Sequence, residues 1–172
     1  AWHLFLDQPR TPEPEDSQQG SYLGPEYSDS EIRDYLDSVG AIYLELPADQ
    51  IAAQAATAIA EQKVVGLFQG RMEFGPRALG ARSILADARS PEMQSRLNNK
   101  IKFRESFRPF APAILRERVA DYFESDCDSP YMLLVKPLAQ ERRKELSGEE
   151  RALEGLRKLR AVRSEVPAVT HV

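Results

Sequence analysis

Apolar and polar positions change period several times along this chain, and each change marks a predicted element. Ser28 stands three residues before Glu31, and Ile32, Tyr35 and Leu36 follow at helical spacing until Gly40. That pattern predicts a helix opened by a capping box and stopped by glycine. Ala41 to Leu46 reads as a short strand. Pro47 and Asp49 then introduce an alanine-rich helix to about Gln62, with Ile51, Ala55, Ala58 and Ile59 on one face. Val64 to Phe68 is short, apolar and β-branched, as a buried strand should be.

The run GRMEFGPRALG holds three glycines and a proline, so a loop is expected, with a second strand at Ser83 to Ala86. Ser90-Pro91 places an N-cap before a proline at the first helical position, predicting a helix to about Lys100. A loop is expected from Phe103 to Pro109, a strand from Ala111 to Leu115, a short helix from Glu117 to Phe123 and a strand from Tyr131 to Val135. Leu138 to about Ser164 reads as a charged helical insertion, broken at Ser147-Gly148, with Leu153, Leu156 and Leu159 as a narrow stripe. The end, VPAVTHV, reads as the start of a strand. Alternating strands and helices predict an α/β domain, with α+β as the alternative, built on an open, twisted, mixed sheet with flanking helices.

Residues 7 to 28 carry four prolines, two glycines and many polar side chains, too little apolar surface to fold alone. They read as a linker, with residues 1 to 6 as the end of a preceding helix. The expected organisation is therefore a linker at 1–28 and a domain at 29–172. The chain opens on Ala1, so a piece of a longer protein is expected. Its first ten residues lack the basic flank of a signal peptide. No apolar run approaches the roughly 18 residues needed to span a bilayer.

Composition adds a location and a charge asymmetry. Of the 172 residues 42% are hydrophobic and 29% charged, and the single cysteine, Cys127, cannot form an internal disulfide. Both suit a reducing, cytoplasmic setting. The net charge of −4 argues against general nucleic-acid affinity. Yet residues 71–108 hold nine basic side chains against four acidic ones, a local charge of +5.

Chemistry is therefore sought in that basic block. Gly70, Gly75 and Gly80 allow close backbone approach and positive φ, and Pro76 stiffens the loop before Arg77. Arg71, Arg77 and Arg82 can converge only if this loop folds back on itself. Further on, Lys102, Arg104 and Arg108 alternate with Phe103, Phe107 and Phe110. An extended chain would put Lys102, Arg104 and Ser106 on one face and Phe103, Glu105 and Phe107 on the other, anchoring the aromatics in the core. Guanidinium groups keep their charge at any working pH and grip phosphate oxygens bidentately. The competing reading pairs these cations with local acids such as Glu73 and Glu105. Arg89 and Arg96, on or beside a helix, are expected to be such paired or solvated groups. Aromatics interleaved with cations could also stack on RNA. No P-loop signature is present. His3 and His171 lie far apart without a Cys/His cluster, so no metal site is predicted. Cys127, between Asp126 and Asp128, is a poor setting for a nucleophile.

The block from Gly70 to Glu117, GRMEFGPRALGARSILADARSPEMQSRLNNKIKFRESFRPFAPAILRE, resembles the C-terminal domain of the O-carbamoyltransferases of antibiotic and nodulation-factor biosynthesis. SYLGPEYSDSEI, SPYMLLV and VPAVTHV resemble the same family's signatures. The resemblance implies a fold similar to threonylcarbamoyl-adenylate synthase domains, here truncated at the C-terminus. It implies a domain that binds carbamoyl phosphate with ATP as co-substrate, releases pyrophosphate and forms carbamoyladenylate. An N-terminal actin-like domain of the same full-length chain, with the metal ion, would pass the carbamoyl group to a hydroxyl acceptor. Position in the motifs carries ligand-binding roles onto Arg77, Lys102, Arg108 and Met132; Arg71, Arg82 and Arg104 are added from charge and spacing. No catalytic residue is assigned and the acceptor is not specified. The alternative is a non-catalytic RNA- or nucleotide-binding module. The 172-residue chain alone is expected to be inactive in overall transfer.

Overall fold

A computed structural model describes residues 15–170, without the side chains of Leu156, Leu159 and Arg160. The expected helix end at residues 1–6, the first half of the linker, His3, His171 and the stripe leucines Leu156 and Leu159 lie outside this description. Helix α1 spans Asp29–Ser38, and its start follows the predicted chemistry. The Ser28 hydroxyl accepts from the Glu31 amide at 3.3 Å, while the Glu31 carboxylate accepts from the Ser28 amide at 2.8 Å. Helix α2 spans Ala48–Ala60 and ends just before Gln62, a left-handed residue that turns the chain into the first strand.

Strands β1 (Val65–Phe68) and β2 (Arg82–Leu85) pair antiparallel, Val65 opposite Leu85 and Phe68 opposite Arg82. Both agree with the apolar runs to within a residue. Their connection is the glycine-rich basic loop. Helix α3 (Met93–Leu97) starts two residues later than the Ser90-Pro91 pair suggests and passes into one π-helical turn, Asn98–Lys102. A 3-10 turn at Arg116–Arg118 leads into α4 (Val119–Tyr122), matching the short helix expected there.

The extended mixed sheet is not found. Among the described residues the sheet has two strands, and the molecule is a helix-rich chain around one hairpin, compatible with the α/β class. Residues 41–46, 111–115 and 131–135 run without strand pairing, and Ile42, Leu44, Leu115, Leu133 and Val135 are exposed. Their local patterns suit a strand, but a strand also needs a partner ladder for its amides and carbonyls, which no local pattern supplies.

The charged stretch from Leu138 is not a long helix either. It forms a 3-10 turn at Gln140–Arg142, a four-residue helix α5 (Gly148–Arg151) and a 3-10 segment at Gly155–Arg160. Ser147-Gly148, read as an interruption, is a helix start: Ser147 and Glu150 form a second capping box. The stretch folds back so that Arg143 bridges Ser164. Too few apolar positions face one side to hold a long helix against a core. The predicted terminal strand is a 3-10 turn, Pro167–Val169, with residues 171–172 outside the description.

The core lies where α3 meets that turn. Met93, Leu97 and Ala168 are buried together, with Val64, Ala86 and Phe110 packed against them. The Ala168 amide donates to the Ala88 carbonyl at 3.1 Å. The hairpin and the second basic loop are both tied to this cluster, through Val64 and Ala86 and through Phe110. With so few buried apolar side chains, each carries much of the stability. Met93, 2% exposed, is expected to lose about 2–5 kcal/mol of unfolding free energy on Met93→Ala. Urea titration checks this, and a change below about 1 kcal/mol would contradict this assignment of the core.

Candidate anion-binding site

The loop between β1 and β2 is closed by one carboxylate. Glu73 is 7% exposed, and its Oε1 accepts the amides of Leu79 at 2.8 Å, Ala81 at 2.7 Å and Arg82 at 3.2 Å. Burial alone would raise the Glu73 carboxyl, but those amides and its own outweigh burial and hold it down at about 2. The competing reading, in which Glu73 pairs with a neighbouring arginine, thus does not hold for this acid. A compact loop turns amides inward, and a carboxylate can collect several of them where a guanidinium would not fit.

Arginine 82 closes the base of the same loop. Its guanidinium donates to the carbonyls of Gln69 at 2.9 Å and Gly70 at 3.2 Å and lies over the Phe68 ring at 3.5 Å. Arg71 turns the other way, donating to the Gly24 carbonyl at 3.0 Å, with Glu26 at 3.7 Å. Arg77, at the crest of the loop, is exposed and makes no hydrogen bond or ion pair among the described residues. The three glycines take positive φ as expected; Gly75, at +138°, brings the chain to Pro76 and Arg77.

The back of the loop is built from residues 16–26. Gly24 donates its amide to the Met72 carbonyl at 2.9 Å, Met72 donates to Pro25 at 3.0 Å, and Phe74 donates to Ser21 at 2.7 Å. The Tyr22 hydroxyl donates to the Leu79 carbonyl at 2.6 Å. A Cβ on Gly24 would stand 2.8 Å from the Met72 oxygen, so only glycine permits this approach. The proline- and glycine-rich segment does not fold alone; it folds against the loop. Tyr131 donates its hydroxyl to the Asp16 carboxylate, which brings the neighbour of Met132 to this segment. Met132 itself is exposed, with a left-handed φ of +53°.

The second loop is held by Asn98, wholly buried at 0% exposure. Its Nδ2 donates to the carbonyls of Ser106 at 3.1 Å and Arg108 at 2.9 Å, and its Oδ1 accepts from the Arg104 Nε at 2.7 Å. Gln94 adds a bond to the Arg108 carbonyl at 3.2 Å. Arg104 also lies over the Phe110 ring at 4.9 Å. The Arg108 side chain points outward, 3.8 Å from Glu105, a half-exposed pair of little energy. Lys102 is exposed and, among the described residues, has no such partner.

The expected in-and-out alternation fails here. The π turn ends on Phe103 in a left-handed conformation at φ +50°, so the chain is not extended. Phe103 is 84% exposed and Phe107 49%, and it is Phe110 that reaches the core. No hydrogen bond or ion pair joins the two loops among the described residues. The six predicted cations therefore divide. Arg71, Arg82 and Arg104 fasten loop backbone and core, whereas Arg77, Lys102 and Arg108 present their charge outward. Arg89 and Arg96 are structural, as expected. Arg89 grips Asp87 through Nε at 2.9 Å and Nη2 at 2.8 Å, and Arg96 donates to the Gln62 carbonyl at 2.8 Å.

Sequence comparison decides the family. Residues 56–172 match the family described as Carbamoyltransferase C-terminus. The chain belongs to the carbamoyltransferase C-terminal family. It is 50% identical over 173 residues to the uncharacterized protein sll1178 of Synechocystis sp., covering 99% of this chain and 28% of that protein. It is 40% identical over 154 residues to the nodulation protein NolNO of Sinorhizobium fredii, covering 87% of this chain and 22% of that one. A 3'-hydroxymethylcephem-O-carbamoyltransferase of Streptomyces clavuligerus is 43% identical over 89 residues, 52% of this chain and 17% of the enzyme. The chain thus spans less than a third of the length of these relatives. Both basic loops of the carbamoyltransferase C-terminal domain fall inside the matched region, whereas residues 16–26 behind the first loop precede it. No helix among the described residues is long and apolar enough to cross a membrane.

Spacing alone did not single out Glu73, Tyr22, Gln94 or Asn98. An acid isolated between glycines in a basic loop was the one available signal for Glu73. Because its carboxyl is lowered from 4.5 to about 2 on folding, its charge favours the folded state fully above pH 4.5. That stabilisation, on the order of 3 kcal/mol, fades as pH falls toward 2. Acid-unfolding curves of the wild type and Glu73→Gln should therefore converge across that window. A gap that stayed constant down to pH 2 would show that the charge plays no part.

Proposed function

We propose that this chain supplies the carbamoyl-phosphate-activating part of a carbamoyltransferase, with the two basic loops as its phosphate-binding wall. The observation carrying this reading is the split between fastened and outward-facing cations. Three arginines secure the loops, leaving Arg77 and Lys102 exposed without a partner among the described residues. Carbamoyl phosphate and ATP bring several negative charges into one cleft, and outward guanidinium and ammonium groups offset their repulsion. Water releases phosphate from carbamoyl phosphate to leave carbamate, whose oxygen attacks the α-phosphorus of ATP. The α–β bond then breaks, pyrophosphate leaves, and carbamoyladenylate remains. Arg108 adds charge from the second loop, and Met132 makes an apolar contact to the adenylate. A further, actin-like part of the full-length protein, carrying the metal ion, passes the carbamoyl group to a hydroxyl. The setting is cytoplasmic.

The relative named as an O-carbamoyltransferase and the carbamoyltransferase family match support the reaction class. One observation favours a nucleic-acid reading: Phe74, Phe103 and Phe107 are exposed beside the cations. The net charge of −4 opposes it. Carbamoyl-phosphate-dependent ATP–pyrophosphate exchange in the full-length protein tests the proposal. Arg77→Ala and Lys102→Ala should each slow exchange about ten- to a hundredfold, the loss expected for a charge-assisted contact. Exchange unchanged in both variants, with salt-sensitive binding of a short RNA, would replace this reading with the nucleic-acid one.

A further inference from the structure

We infer that Glu73 is a positioning residue for Arg77, setting the arch that holds this cation toward the substrate phosphates. The inference rests on the carbamoyl-phosphate reading above. No hydrogen bond or ion pair joins Glu73 and Arg77 among the described residues; the connection runs through the backbone. One carboxylate oxygen gathers the amides of Leu79, Ala81 and Arg82 at 2.8, 2.7 and 3.2 Å, so residues 73 and 79–82 are drawn together. The five residues between them, Phe74 to Ala78, must rise as an arch with Gly75 and Pro76 on its ascending side and Arg77 near its crest. Tyr22 braces the descending side through the Leu79 carbonyl at 2.6 Å, and Phe74 is tied to Ser21 at 2.7 Å on the other. Both feet are thus pinned, while the crest has no side-chain bond of its own among the described residues.

A negative charge this close to an anion site would ordinarily repel the ligand. Here the amides gathered on the oxygen enclose it, and Glu73 faces the loop interior at 7% exposure. The charge tightens those amide bonds more than a neutral acceptor could. A neutral amide in its place would keep the shape of the side chain but relax the clasp. Arg77 would then sample more orientations and hold substrate less often, which appears in KM for carbamoyl phosphate more than in kcat.

A double-mutant cycle on the full-length protein, read by ATP–pyrophosphate exchange, tests this. Glu73→Gln should raise KM for carbamoyl phosphate about tenfold, and in the Arg77→Ala background it should add less than about twofold. Losses that multiply would overturn the positioning role while leaving the exchange reaction assigned. Exchange untouched by Arg77→Ala would instead overturn the site assignment on which the inference rests. Circular dichroism establishes whether Glu73→Gln is folded. If it is not, Tyr22→Phe takes its place, removing only the hydroxyl bond to Leu79. Its expected effect is about threefold on KM and again vanishes without Arg77; an effect that persists without Arg77 overturns the role.

Discussion

A short loop rich in glycine cannot hold a shape by packing, because it has almost no side chains to pack. In this chain the loop that carries Arg71, Arg77 and Arg82 is held instead by an ionised carboxylate buried under backbone amides. Desolvating that charge is unfavourable, and only the convergence of several amides on it reverses the balance. Much of the remaining architecture follows. The strands must pair in the register that brings Arg82 opposite Phe68, since the Arg82 amide is one of the groups Glu73 collects. Residues 21–25 must then lie along the outer side of the loop, because Met72 and Phe74 have no other backbone partners among the described residues.

The second loop solves the same problem with a neutral group. Asn98 offers two donors and an acceptor, and all are used on the 104–108 backbone and side chains. Burying an amide in this way is favourable only when its hydrogen-bonding capacity is met, so the loop and the asparagine specify one another. Arginine accordingly has two uses in this protein. Arg82 and Arg104 act as multidentate fasteners that also cover an aromatic ring. Arg77, by contrast, meets no acid or carbonyl among the described residues.

Local chemistry was legible where it was self-contained. The Ser28–Glu31 capping box, the α2 boundaries and the glycine-rich loop could be read from spacing, because the groups that form them lie within a few residues of one another; β1 and β2 were legible as the apolar runs flanking that loop, which brings them together. Segments 41–46, 111–115 and 131–135 could not, since a strand depends on a distant partner for its hydrogen bonds. The charged stretch 138–164 misled for a related reason: charged residues suit a helix surface, but a helix needs an apolar face matched to a core. In the site, the family motif marked the basic block but could not separate fasteners from free cations. That separation depends on which carbonyls and rings each guanidinium meets after folding. The burial of Glu73 and Asn98 was hidden for the same reason.

Gly24 approaches the Met72 carbonyl so closely that no side chain fits between them. The family-matched region begins at residue 56, more than thirty residues after Gly24. A functional unit defined by the match alone would therefore cut through the molecule's own hydrogen-bond ladder. It would strip Met72 and Phe74 of their backbone partners and the Leu79 carbonyl of Tyr22, and leave the basic loop open to water on its reverse side. The working boundary of this module lies upstream of the family-matched region. In protein-engineering terms, a fusion, truncation or domain swap made at residue 56 would transplant the arginines without the scaffold that shapes their loop.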